Sequence, residues 1–181
     1  CFAPNIEQLH VINHLKGEQT LEQPRNVLEE SARLVRGEIS DLASADAELF
    51  DAVIVPGGFG AAKNLCTYAV DGENMKINQT FETFIRSAIS LKIPIGLVCI
   101  APVMSGLLFG KGVSCTIGND EQTAEVIRHT GAIHYDCNVD EICVDETYRL
   151  VTTPAYMLAS TITDASKGIT KLVEKVLKMA Q

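Results

Sequence analysis

Two runs made only of residues that suit an apolar interior, AVIVP at 52–56 and IPIGLV at 93–98, constrain the fold more than any other feature of the chain. Each is short for a helix and shows no polar alternation, which marks a strand buried on both faces, as in the middle of a parallel sheet. Each also stops at a turn and gives way at once to helix-compatible sequence, through PGGFGAAKN after the first and CIAPVM after the second. Strands of this kind alternating with helices predict an α/β domain with a mainly parallel sheet, covered on both faces and joined by right-handed crossovers.

The apolar spacing around these runs supplies the helices. Val27, Leu28, Ser31, Leu34 and Val35 share one face of a segment that stops at Gly37. Phe81, Phe84, Ile85, Ala88 and Ile89 do the same behind Asn78, an N-cap residue. A further helix is expected near Pro102, another within 119–131 opened by Asn119 and Gln122 and closed at Gly131, and a last one carrying Ile169, Leu172, Val173, Val176 and Leu177. VSCTI at 113–117 reads as a strand. Hairpins are expected over 9–20, where LKGEQT supplies the turn, and over 141–153. The opening CFAP reads as the end of a strand followed by a turn, with an element expected upstream of it.

With 181 residues, of which 46% are hydrophobic, the chain has enough core for one domain spanning 1–181. A formal charge of -8 without a dense Lys/Arg block argues against nucleic acid or an anionic membrane as partner. The longest apolar run, IPIGLVCIAPVMSGLLFG, is broken by two prolines and three glycines and makes no membrane helix. Six cysteines, at 1, 66, 99, 115, 137 and 143, form no C-x-x-C pair and point to free thiols in a reducing compartment, cytoplasm or mitochondrion. His134, Cys137 and Cys143 lack a fourth ligand and zinc spacing, so no metal is expected, nor any cofactor. The sequon at Asn78 is read as chance.

In sheets of this kind ligands collect beyond the carboxyl ends of the strands, where the two turns lie. GGFGAAKN has neither the Gly-Lys-Ser/Thr ending of a P-loop nor the G-x-G-x-x-G spacing of a dinucleotide site. Cys99 stands between strand and helix, the position of a nucleophile held on a strained turn, where a helix N-terminus stabilises a thiolate. Gly57 and Gly58 let backbone approach a substrate closely, and the amides of Gly58 and Ile100 form a two-donor oxyanion hole. The pattern alone leaves Cys99 two fates, catalytic thiolate or one more buried thiol. A base is less visible: His134 is either a partner for Cys99 or a solvated loop histidine. Arg25 lines the pocket mouth or is a surface charge before its helix, and Pro154 and Tyr156 form a pocket wall or packing surface.

RNVLEESARLVRG, VIVPGGFGAAKNL, GLVCIAPVM and VTTPAYM together resemble the ElbB-type branch of the class I glutamine amidotransferase-like superfamily, which includes the PfpI proteases and the Parkinson-associated deglycase. The resemblance implies a flavodoxin-like three-layer sandwich, usually a homodimer, with Cys99 as elbow cysteine beside the Gly57-Gly58 loop. It implies a glutathione-independent glyoxalase-like lyase acting on small aldehydes, methylglyoxal or glyoxal, with Arg25 and Pro154 at the substrate. It also implies a first βα unit, carrying the acid/base partner of the cysteine, that this sequence does not contain. Ile100 stands where protease members have His, and VTTPAYM has no His for a glutaminase triad. The alternative from a different class is a weakly catalytic redox-sensing or partner-binding protein built on the same activated cysteine.

Overall fold

The computed structural model describes residues 1–20 and 23–181. From the N-terminus, β1 (Phe2–Ala3) leads into a hairpin of β2 (Val11–Asn13) and β3 (Glu18–Thr20), then α1 (Val27–Leu34) and β4 (Ser40–Asp41). The next unit runs from β5 (Val53–Val55) through the short α2 (Gly58–Gly60) and α3 (Tyr68–Asp71) and the longer α4 (Gln79–Ser90) to β6 (Ile95–Val98). There follow α5 (Ser105–Phe109), β7 (Ser114–Cys115), α6 (Glu121–His129), β8 (Ile133–His134), the hairpin of β9 (Cys143–Asp145) and β10 (Leu150–Thr153), and α7 (Ile162–Ala180).

The central sheet has the order β5-β6-β10-β9, with β6 parallel to both its neighbours and β9 antiparallel at one edge. β1 and β4 form a separate parallel pair, as do β7 and β8. Every residue of β6 is buried, as its apolar run requires, and so is every residue of β10 although two of its four are threonines. β5 departs from expectation, since it lies at the sheet edge with Ile54 exposed and only Val55 buried. Ile95 and Leu97 join Phe81, Ile85 and Ala88 of α4 on one face, while Val98 and Val151 meet Leu172 and Val176 of α7 on the other. Helices on both faces of a mainly parallel sheet give the expected three-layer α/β sandwich. No helix among the described residues is long and apolar enough to cross a membrane.

The helix bounds follow their caps. Asn78 Oδ1 accepts from the Phe81 amide at 3.1 Å and opens α4, as its spacing predicts. α6 departs from expectation: Asp120, and not Asn119, is its cap, accepting from the Thr123 amide at 2.8 Å. The expected VSCTI strand shortens to Ser114–Cys115, because the Thr116 amide turns to Thr152 Oγ1 at 2.9 Å and the Gly118 amide to Thr116 Oγ1 at 3.0 Å. Side-chain oxygens take the donors a longer ladder needs. The helix near Pro102 opens as a 3-10 turn over Ala101–Met104 before α5.

Candidate functional site

The site is built where β5 and β6 end side by side, since Val55 pairs with Leu97. β6 stops at Val98, and Cys99 then takes a left-handed conformation, φ 63°, that non-glycine residues rarely adopt. Its amide donates to Thr153 O at 3.0 Å, which ties the turn to the end of β10. A half-buried thiol on a left-handed residue, between a buried strand and a helical turn, is the nucleophile-elbow geometry that the sequence pattern predicts.

Gly57 makes the close packing of this elbow possible. A Cβ there would lie 2.5 Å from Val98 O, 2.8 Å from Cys99 Cβ and 2.9 Å from Ile100 N, so only glycine lets the two turns touch. Gly58 is needed for a different reason. Its φ is +83° and the space beside it is open, so its backbone conformation rather than crowding selects glycine. Among the described residues, neither the Gly58 nor the Ile100 amide is taken up by a backbone carbonyl or a cap. Donors left free beside a thiol suit an oxygen that gains negative charge.

Of the residues singled out from sequence, Gly57, Gly58, Cys99 and Ile100 therefore come together. Pro154 is buried directly after Thr153, the residue that holds the Cys99 amide, and Tyr156 beyond it is exposed. Arg25 is placed differently: it is exposed, and its carbonyl accepts from the Gln8 amide at 2.8 Å in the strap before α1. His134 corrects both of its readings. Its side chain is only 1% exposed, and Nε2 accepts from the Ile117 amide at 3.2 Å, so it is neither solvated nor paired with Cys99.

The remaining thiols differ from Cys99 in setting. Burial pushes Cys115 up to about 12 and Cys143 up to about 11, which keeps both protonated and inert at neutral pH. Cys66 and Cys137 are also raised by burial. The sequence gives no signal for the part played by Thr153, because its carbonyl reaches Cys99 through the β6–β10 register and not through a local motif.

No family model matches the chain. It is 44% identical over 187 residues to the ES1 protein homolog, mitochondrial, of Rattus norvegicus, covering 98% of this chain and 70% of the rat protein. The Homo sapiens glutamine amidotransferase-like class 1 domain-containing protein 3, mitochondrial, matches at 44% over 187 residues, covering 98% of this chain and 69% of the human one. A crystal structure of an isoprenoid biosynthesis protein with amidotransferase-like domain from Ehrlichia chaffeensis superposes with a TM-score of 0.91 at 33% identity, over 100% of this chain and 83% of that one.

Proposed function

The chain belongs to the ES1 and glutamine amidotransferase-like class 1 family, and on that footing we propose that it is a cysteine-dependent, glutathione-independent glyoxalase-like enzyme acting on small reactive aldehydes. The observation that carries the reading is the left-handed Cys99 packed against Gly57, with the free amides of Gly58 and Ile100 beside it. In this chemistry the Cys99 thiolate adds to the aldehyde carbon of methylglyoxal and the carbonyl oxygen becomes an alkoxide facing the two amides. The hydrogen on that carbon moves as a proton to the neighbouring carbon through an enediolate, leaving a lactoyl thioester. Water then cleaves the thioester, releasing lactate and restoring the thiol. No oxidant or reductant is consumed.

Glutamine hydrolysis by a Cys-His-acid triad is disfavoured, since the turn after β10 that tethers Cys99 carries Pro154, Ala155 and Tyr156 and no imidazole. The mitochondrial names of the rat and human relatives favour the mitochondrion among reducing compartments. A second reading, a redox-sensing thiol, is favoured by one observation: no imidazole or carboxylate is hydrogen-bonded to Cys99 among the described residues. Sensor and enzyme differ in turnover.

The deciding experiment measures lactate formed from methylglyoxal without glutathione by the chain and by Cys99→Ser. Saturable turnover lost in Cys99→Ser supports the enzyme. Equal inactivity of both, with Cys99 oxidised stoichiometrically by peroxide, supports the sensor.

A further inference from the structure

Cys99 packs against the apolar cluster of Val98, Val151 and Leu172, as do Ile142 and Ile169, so it shares the α7 face of the sheet. Two residues on that face have no part in the aldehyde chemistry. Gly168 lies in the interior of α7, where glycine weakens a helix relative to alanine. Thr153 is fully buried and carries a hydroxyl at the end of β10.

The two meet. A Cβ on Gly168 would lie 2.5 Å from Thr153 Oγ1 and 2.5 Å from Val139 O, so only glycine lets α7 close on both. Thr153 Oγ1 donates to Glu141 O at 2.9 Å. The turn over 138–141 is itself closed: the Glu141 amide donates to Asn138 O at 3.0 Å and the Asn138 amide donates to Glu141 Oε2 at 2.6 Å. Lys171 Nζ, nearly one helical turn after Gly168, donates to Asp140 O at 2.5 Å and fastens the turn to α7. Valine has nearly the shape of threonine, and a buried hydroxyl without a partner costs stability. The Thr153 hydroxyl therefore matters through the bond it makes.

That bond fixes Thr153 from its side chain, while its carbonyl accepts from the Cys99 amide at 3.0 Å. A left-handed residue such as Cys99, φ 63°, persists only where its surroundings over-determine it. Strand register supplies one constraint and the clasp of Glu141 and Gly168 supplies the other. We propose that Thr153 is the positioning residue of the Cys99 elbow, held by Gly168 and the 138–141 turn so that the thiol stays beside the free amides of Gly58 and Ile100. The inference rests on Cys99 as the reactive thiol of the proposed function, whatever electrophile that thiol meets.

The test reads thiol reactivity without an aldehyde. The 181-residue chain is alkylated with iodoacetamide at neutral pH, and mass spectrometry gives the rate at each cysteine. In Thr153→Val, Cys99 should react about tenfold more slowly, the worth of one hydrogen bond, while the exposed Cys1 keeps its rate. Thr153→Ser keeps the donor and should recover most of the Cys99 rate. Gly168→Ala should slow Cys99 as Thr153→Val does, because its methyl group displaces Thr153 and Val139. An unchanged or faster Cys99 in Thr153→Val overturns the proposal, as does a Thr153→Ser no better than Thr153→Val. Faster alkylation of the buried Cys115 and Cys143 in both Thr153→Val and Gly168→Ala also overturns it, since the two residues then serve the core and not the thiol. The expected rates from a chain that forms no lactate would end the aldehyde reading alone and leave this one standing.

Discussion

Alanine at position 57 brings a methyl group within 2.5 Å of Val98 O and 2.8 Å of Cys99 Cβ, contacts that only a backbone shift relieves. Gly57→Ala is expected to cost about 2–3 kcal/mol, as overpacking does, and to displace the thiol as well. Gly58→Ala meets open space and pays only for φ +83°, about 1–2 kcal/mol. The two midpoints in urea, measured side by side, check this order; a reversed order would mean that crowding at Gly57 is not what selects glycine there. Cys99 offers the converse case. Its left-handed φ of 63° holds strain that Cys99→Gly releases, so that variant should gain about 1 kcal/mol in stability while losing all turnover. A loss of stability in Cys99→Gly would place the strain elsewhere. At this scale the sequence was informative about chemistry. Gly57, Gly58 and Cys99 stand out because they punctuate apolar strands. Thr153 does not, and His134 stands out for roles it does not fill, because their partners, the Cys99 and Ile117 amides, arrive through strand register and a folded loop.

Elements carry their own tests at their ends. Asp120 caps α6, so Asp120→Ala should cost about 1 kcal/mol and Asn119→Ala little. Thermal midpoints of the two variants read the difference. Sequence spacing chose Asn119 because Gln122 follows it by three residues, yet Asp120 has Thr123 at the same spacing and accepts from both its amide and its hydroxyl. Two adjacent cap residues one register apart cannot be told apart by pattern, whereas α4, with the single cap Asn78, was legible to its first residue. The loop after β7 depends on a titrating group. His134 Nε2 accepts a hydrogen bond only when the ring is neutral, and burial holds its pKa below the ordinary 6.5, opposed by the Asp136 carboxylate, with Arg128 lowering it further and Glu121 raising it. A depressed folded value means that the unfolded chain binds the proton first. Stability is therefore fully present above pH 6.5 and lost as pH falls through the lower folded value. Urea midpoints taken across this range should decline for the wild type, and His134→Gln, which keeps an acceptor without titrating, should flatten the decline. An unchanged slope in His134→Gln would assign it to the carboxylates.

Across the whole molecule, burial divides the strands into two tiers. β6 and β10 are buried throughout, pair with each other in parallel over their full length, and are sandwiched by α4 and α7. β1 and β4 share a two-residue pairing outside that sheet, and α1 beside them buries nothing. The apolar run at 93–98 announced β6, whereas β10 was legible only as a hairpin arm, because its buried Thr152 and Thr153 spend their hydroxyls on the Thr116 amide and the Glu141 carbonyl rather than showing as an apolar run. The outer tier was less legible, because two-residue strands carry no periodicity and their pairing is decided by what packs around them. Opening free energies follow the number of buried contacts a segment must break. The amides of Leu97 and Val151 should therefore exchange only through global unfolding, while the Ser40 and Ala3 amides exchange at least about a hundredfold faster, a gap of roughly 2.7 kcal/mol. Native-state hydrogen exchange by NMR, followed with increasing denaturant, distinguishes the tiers: the inner amides should share the full denaturant slope and the outer ones should show almost none. A common slope for both would mean that β1, β4 and α1 unfold with the core, and that their sparse burial understates how firmly they are held. Two tiers would instead put the flexible part of the molecule on the strap side of Gly57, and leave Cys99, tied by Thr153 to the strongest strand pair, as the rigid half of the site.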